Sequence, residues 1–141
     1  VDYLDWLGSN FTSSESARER LEASSVAIKS HEQELVNLAL HGSENLIGLI
    51  KNEQIEIIGD LASTSREGVV SFYLKNKPSS LIVEKLRQRK IRVHIRKDDH
   101  YCGNILRPLN QKDCIRFSIC HYNSKAEVIE FLKAINEISA H

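Results

Sequence analysis

The chain has 141 residues, 41% of them apolar and 27% charged, and nineteen basic residues balance nineteen acidic ones. That composition describes a folded globular domain and gives bulk charge no grip on nucleic acid or on an anionic membrane. No apolar stretch nears the ~20 residues of a membrane helix, and three cysteines are too few for a disulfide framework and fit a reducing cytoplasm. The absence of methionine and the opening valine predict a processed chain or a piece of a longer one, folding as one domain over residues 1–141.

Val1–Leu7 reads as the last turns of a helix, because Tyr3, Leu4, Trp6 and Leu7 are apolar at helical spacing. Thr12 and Glu15 fit a capping box. A long helix is predicted from Ser14 to Leu40, with Leu21, Ala27, Ile28, Leu35, Leu38 and Ala39 on its buried face. Gly42 ends it, and Ser43 or Glu44 restarts a shorter helix through Ile50. The period then shortens. Gln54–Ile58 and Gly68–Lys75 read as strands, Pro78 opens a helix running to about Arg89, and Ile91–Lys97 is a third strand. In that strand Ile91, Val93 and Ile95 face one side and Arg92, His94 and Arg96 the other. Asp98–Asp113 reads as a long loop, and Cys114–His121 as a fourth strand with Ile115, Phe117 and Ile119 opposing Arg116, Ser118 and Cys120. Ser124 and Glu127 repeat the capping pattern before a last helix whose apolar face holds Val128, Ile129, Leu132 and Ile135. The expected fold is therefore α+β: a two-layer sandwich of about four mostly antiparallel strands covered by helices, with a long N-terminal helix.

Charge is uneven along this order. Residues 1–52 carry eight acids and four bases, whereas residues 85–116 carry ten bases and three acids. Such a basic run is either a solvated face or a surface that recognises a carboxylate or phosphate. Arg96 and Arg116 are its most informative members. Each lies on the polar face of an amphipathic strand, where a rigid backbone can hold a guanidinium fork for bidentate contact with a carboxylate. Cys102, beside His100 and downstream of Lys97, is either a passive loop cysteine or a nucleophile favoured by cationic neighbours. Cys114 and Cys120 stand too far apart along one strand to bridge. His94, His100, Cys102, Cys120 and His121 match no four-ligand metal pattern, so no metal is expected, and His31 reads as a solvent or interface histidine. Glycine-rich phosphate loops, the G-x-S-x-G elbow and the H-E-x-x-H helix are all missing.

Several local motifs resemble one family. Ser30-His31-Glu32-Gln33-Glu34-Leu35, then Ile57-Ile58-Gly59, then Arg66-Glu67-Gly68-Val69-Val70-Ser71-Phe72 resemble the small-domain entry of class V aminotransferases. Ile115-Arg116-Phe117-Ser118, followed by His121-Tyr122-Asn123-Ser124, resembles that family's late arginine-serine and tyrosine-asparagine-threonine signature. These are fold-type I pyridoxal-phosphate enzymes, among them cysteine desulfurases and selenocysteine lyases. The resemblance spans nearly the whole chain and implies its C-terminal small domain, with the large domain absent.

The resemblance also implies roles. Arg116 matches the arginine that grips the α-carboxylate of an amino-acid substrate, and Arg96 matches a second active-site arginine. Cys102 is the candidate for the sulfur-accepting cysteine, but Lys97 follows Arg96, no glycine lies between Arg96 and Gly103, and Cys102 lies near rather than on the family position. The Schiff-base lysine, the aspartate under the pyridinium nitrogen and the phosphate-binding groups belong to the large domain. Pyridoxal phosphate is thus expected in the full-length parent, a homodimer whose large domain is this chain's partner, while the fragment alone is expected to bind no cofactor and to be inactive. Two rivals stand beside this reading: an epimerase-like or other class V lyase or transaminase without persulfide chemistry, and a stand-alone anion-binding module.

Overall fold

The computed structural model describes residues 1–61 and 67–140; Arg66, the first residue of the third family-like motif, lies outside the described residues. Helix α1 spans Asp2–Gly8 and helix α2 spans Ala17–His41. The first capping box is not formed. Thr12 Oγ1 accepts from Ser14 N–H, and Ser14 Oγ from Ser16 N–H. Arg20 meanwhile binds both Asp5 carboxylate oxygens and the Ser14 and Glu15 carbonyls. These bonds hold Ser14 and Glu15 out of the helix, which starts after Ser16.

The predicted helix from Ser43 to Ile50 is also replaced. A short hairpin forms instead from β1 (Gly42–Ser43) and β2 (Leu46–Ile47), followed by a single 3-10 turn over Leu49–Lys51. Gly42 takes φ 75° and ψ −154°, a conformation that turns the chain away from helical continuation. Asn136 then fastens the hairpin, donating from Nδ2 to the Ile47 carbonyl at 2.8 Å.

The remaining elements follow the expected order. β3 (Ile55–Ile58) and β4 (Val69–Leu74) precede helix α3 (Ser79–Gln88), then β5 (His94–Lys97). The predicted loop between the last two strands contains one further helical turn, α4 (Gly103–Leu106), whose Leu106 is buried. β6 (Asp113–Ser118) and α5 (Lys125–Ala140) complete the chain. The second capping box forms as expected: the Ser124 amide and hydroxyl both donate to Glu127 Oε2, and Glu127 N–H donates back to Ser124 Oγ.

β3 to β6 build one antiparallel sheet in the order β3-β4-β6-β5. Alternation along each strand decides what each face carries. Ile55, Val70, Phe72, Leu74, Ile115 and Phe117 point toward the helices. There they meet Leu35, Val36, Ala39 and Leu40 of α2, Ile82 and Leu86 of α3, and Val128, Phe131, Leu132 and Ile135 of α5. Phe131 joins the layers, stacking on Phe117 with ring centres 3.9 Å apart and meeting Phe72 edge-on at 6.2 Å. The result is the expected α+β sandwich, its core on one side of the sheet. The other side is free to carry polar groups.

Candidate functional site

The outer face of the sheet inherits every residue that strand parity excludes from the core. In register, Ile58 stands opposite Ser71, Ser71 opposite Arg116, and Arg116 opposite His94. Arg96 stands opposite Cys114 one step along the same two strands. A row of polar side chains thus crosses β4, β6 and β5 and ends at Ile58 on β3, with the two arginines on adjacent strands.

The segment between β5 and β6 folds over one end of this row and makes a cleft of about 460 Å³. Ile58, Ser71, Arg96 and Arg116 come from the sheet, while Tyr101, Cys102, Ile105 and Leu106 come from the covering turn. Arg96, Cys102 and Arg116, separated in sequence, therefore share one cavity. Strand alternation made the two arginines visible in the sequence. Ser71 and Cys114 were not visible, because their place in the cleft depends on pairing between distant strands.

Local bonds fix the covering turn. Asp99 Oδ1 accepts from Tyr101 N–H at 2.9 Å and Cys102 N–H at 3.0 Å, and these donors hold the Asp99 carboxyl below its usual range. Arg107 Nε donates to Asp98 Oδ1 at 2.7 Å, and Gly103 N–H donates to the Asp99 carbonyl at 2.8 Å. Cys102 is consequently presented from an anchored turn, half-buried against the cleft.

Three of the ten bases of residues 85–116 are held in ion pairs: Arg87 with Glu84, Arg89 with Glu137, and Arg107 with Asp98. Arg116 behaves differently. Its Nε is buried and has no hydrogen-bond partner among the described residues. A buried donor on a charged group left unsatisfied costs roughly 1–3 kcal/mol or more, and a carboxylate oxygen is the acceptor that relieves this most effectively. Arg96 on the neighbouring strand adds a second positive charge to the same cleft.

The other candidates fall elsewhere. His31 Nε2 donates to the Asn123 carbonyl at 2.9 Å, joining α2 to the turn before α5. His121 lies against Tyr3, with ring centres 5.7 Å apart. All three cysteines are free thiols, and among the described residues no three His, Cys, Asp or Glu side chains gather as metal ligands. No helix among the described residues is long and apolar enough to cross a membrane. Among the described residues the cleft lining holds no lysine to condense with an aldehyde and no acid to face a pyridinium nitrogen. These residues do not fit pyridoxal phosphate itself; they fit a carboxylate.

Residues 11–131 match the family model described as aminotransferase class-V. A comparison with curated protein sequences gives no match. Among solved structures, an apo cysteine desulfurase from Thermococcus onnurineus NA1 superposes with a TM-score of 0.71 at 24% identity, over 88% of this chain and 29% of that one. A cysteine desulfurase from Escherichia coli gives 0.62 at 17% identity, over 88% and 31%. A NifS-like protein from Rickettsia africae ESF-5 gives 0.62 at 13% identity, over 89% and 33%. The chain thus spans about a third or less of the length of these structures, and at these identities the likeness is one of fold.

Proposed function

The chain belongs to the class-V aminotransferase family, and from that premise we propose that it is the C-terminal small domain of an enzyme resembling cysteine desulfurase or selenocysteine lyase. In this reading Arg116 takes the α-carboxylate of an amino-acid substrate, Arg96 reinforces the positive field, and the turn carrying Tyr101 and Cys102 closes that end of the cleft. Family membership implies pyridoxal phosphate in the full-length enzymes, and when bound it supplies the electron sink for bond cleavage at the amino acid. The lysine that would hold it is assigned to a large domain, so the chain alone is expected not to turn over. The same reading has the intact enzyme working in the cytoplasm as a homodimer.

One observation carries the proposal: the buried, partnerless Nε of Arg116 in a cleft shared with Arg96. Positioning is the contribution this supports. A carboxylate seated on a guanidinium that is itself fixed to a β-strand has its α-carbon presented in one orientation. A charge-assisted hydrogen bond is worth roughly 1.5–3 kcal/mol, so Arg116→Ala in the enzyme carrying both domains should raise the apparent KM roughly 10- to 100-fold. Arg116→Lys should recover only part of the loss, since an ammonium lacks the fork. Unchanged kinetics in Arg116→Ala would remove Arg116 from the substrate site.

The anchoring of Cys102 favours a second chemistry on the same cleft, that of an epimerase, transaminase or lyase without persulfide. A cysteine that accepts sulfur must also deliver it, and two bonds to Asp99 with the Asp98–Arg107 pair oppose movement of the turn. Cys102→Ser separates the two. Lost activity toward cysteine supports sulfur transfer, whereas full activity rules out a persulfide at this position.

A further inference from the structure

The carboxylate reading leaves two thiols of the cleft unused. Cys102 lies half-buried on the covering turn, and Cys114 lies buried on β6, on the same face as Arg116 and opposite Arg96. Their side chains line one cavity of about 460 Å³, one thiol from the roof and one from the sheet. Among the ionisable groups acting on the Cys114 thiol, Cys102 acts more strongly than Asp113, Arg96 or Arg116. Cys120 is engaged elsewhere. Its thiol interacts with the Tyr122 hydroxyl and its N–H donates to Asn123 Oδ1.

We propose that Cys102 and Cys114 form a reversible dithiol–disulfide pair, a modification site for low-molecular-weight disulfides such as oxidised glutathione. The order of events follows from exposure. The Cys102 thiol loses its proton and attacks one sulfur of the small disulfide; that S–S bond breaks, and one glutathione thiolate leaves and takes up a proton. Cys102 then carries a mixed disulfide. The Cys114 thiol loses its proton and attacks Cys102 Sγ, and the second glutathione leaves as thiol. Two protein thiols are oxidised to one disulfide while one small disulfide is reduced to two thiols. The new bond ties the turn before α4 to β6 beside Arg116. This inference stands apart from the carboxylate reading and survives its failure.

The full chain is incubated natively with oxidised glutathione, its free thiols are blocked with N-ethylmaleimide, and the digest is mapped by mass spectrometry. The expected product is a peptide pair linked through Cys102 and Cys114, with Cys120 alkylated. Cys114→Ala should lose that linkage completely and accumulate glutathione on Cys102. In denaturant the linkage should move toward Cys114–Cys120, which closes the shorter loop. The proposal is overturned if the native chain keeps glutathione on Cys102 with Cys114 still alkylated, or if it pairs through Cys120 or between chains. Should the alanine variant misfold, the native and denatured maps of the unaltered chain decide alone.

Discussion

Cys114 and Arg116 share one face of β6, yet their surroundings act on them in opposite senses. The arginine is charged in any setting, and its buried Nε calls for an acceptor. The thiol responds by staying neutral: burial, reinforced by Cys102 and Asp113, pushes Cys114 up to about 11, with Arg96 and Arg116 opposing only in part. Because the thiolate is the reactive form, iodoacetamide at pH 9 should modify Cys114 about a hundredfold more slowly than an ordinary thiol. The sign for stability follows. The unfolded chain ionises this group first, so its contribution to folding is complete below the ordinary thiol range and falls as pH rises toward 11. Peptide-resolved alkylation rates from pH 8 to 11 check this, and a Cys114 rate equal to that of the denatured chain would sink it. Parity along the strand placed Arg116 on the polar face from sequence alone. It could not reveal that the segment between β5 and β6 folds back over Cys114, since that segment is mostly irregular and carries no period that shows where it packs.

At the scale of elements, two similar capping patterns had different fates. Thr12 with Glu15 and Ser124 with Glu127 both satisfy the spacing rule, but only the second forms the reciprocal bonds. The first loses to Arg20, which draws the Ser14 and Glu15 carbonyls to its own guanidinium while binding Asp5 across the α1–α2 contact. Tertiary bonding thus overrides a local signal, and mutation can measure it. Ser124→Ala removes the N-cap hydroxyl of α5 and should lower stability by roughly 1 kcal/mol. Thr12→Ala, which removes one bond to Ser14 outside any helix, should cost clearly less. Urea unfolding of both variants provides the comparison, and equal losses would refute the assignment of the cap. The long helix, the four strands and α5 were legible because each repeats a period over several residues. The hairpin of β1 and β2 and the single turn of α4 were not, because a two-residue strand holds one strand period and a four-residue helix barely one helical period.

For the molecule as a whole, the core lies between the sheet and a layer made of α3, α5 and the second half of α2, and the first half of α2 extends beyond it with α1 alongside. Leu35, Val36, Ala39 and Leu40 are buried, whereas Tyr3, Trp6, Phe11 and Val26 near the other end are at least half exposed, Trp6 at 61%. Tyr3, Phe11 and Val26 border a shallow groove of about 810 Å³ that continues to His121 and Tyr122. Contiguous exposed apolar surface of this kind marks a place where a further body packs, and in the proposed enzyme that body is the large domain. Trp6, whose ring centre lies 5.9 Å from that of Tyr3 beside the groove, reports on this and is the only tryptophan in the sequence. In the chain by itself its fluorescence should be red-shifted and readily quenched by acrylamide. In the enzyme carrying both domains, with any large-domain tryptophans replaced by phenylalanine, the emission should shift to the blue and quenching should drop several-fold. Equal quenching in the two proteins would mean that the α1 end of this face stays in water, and the proposed docking of the large domain along α1 and α2 would be withdrawn.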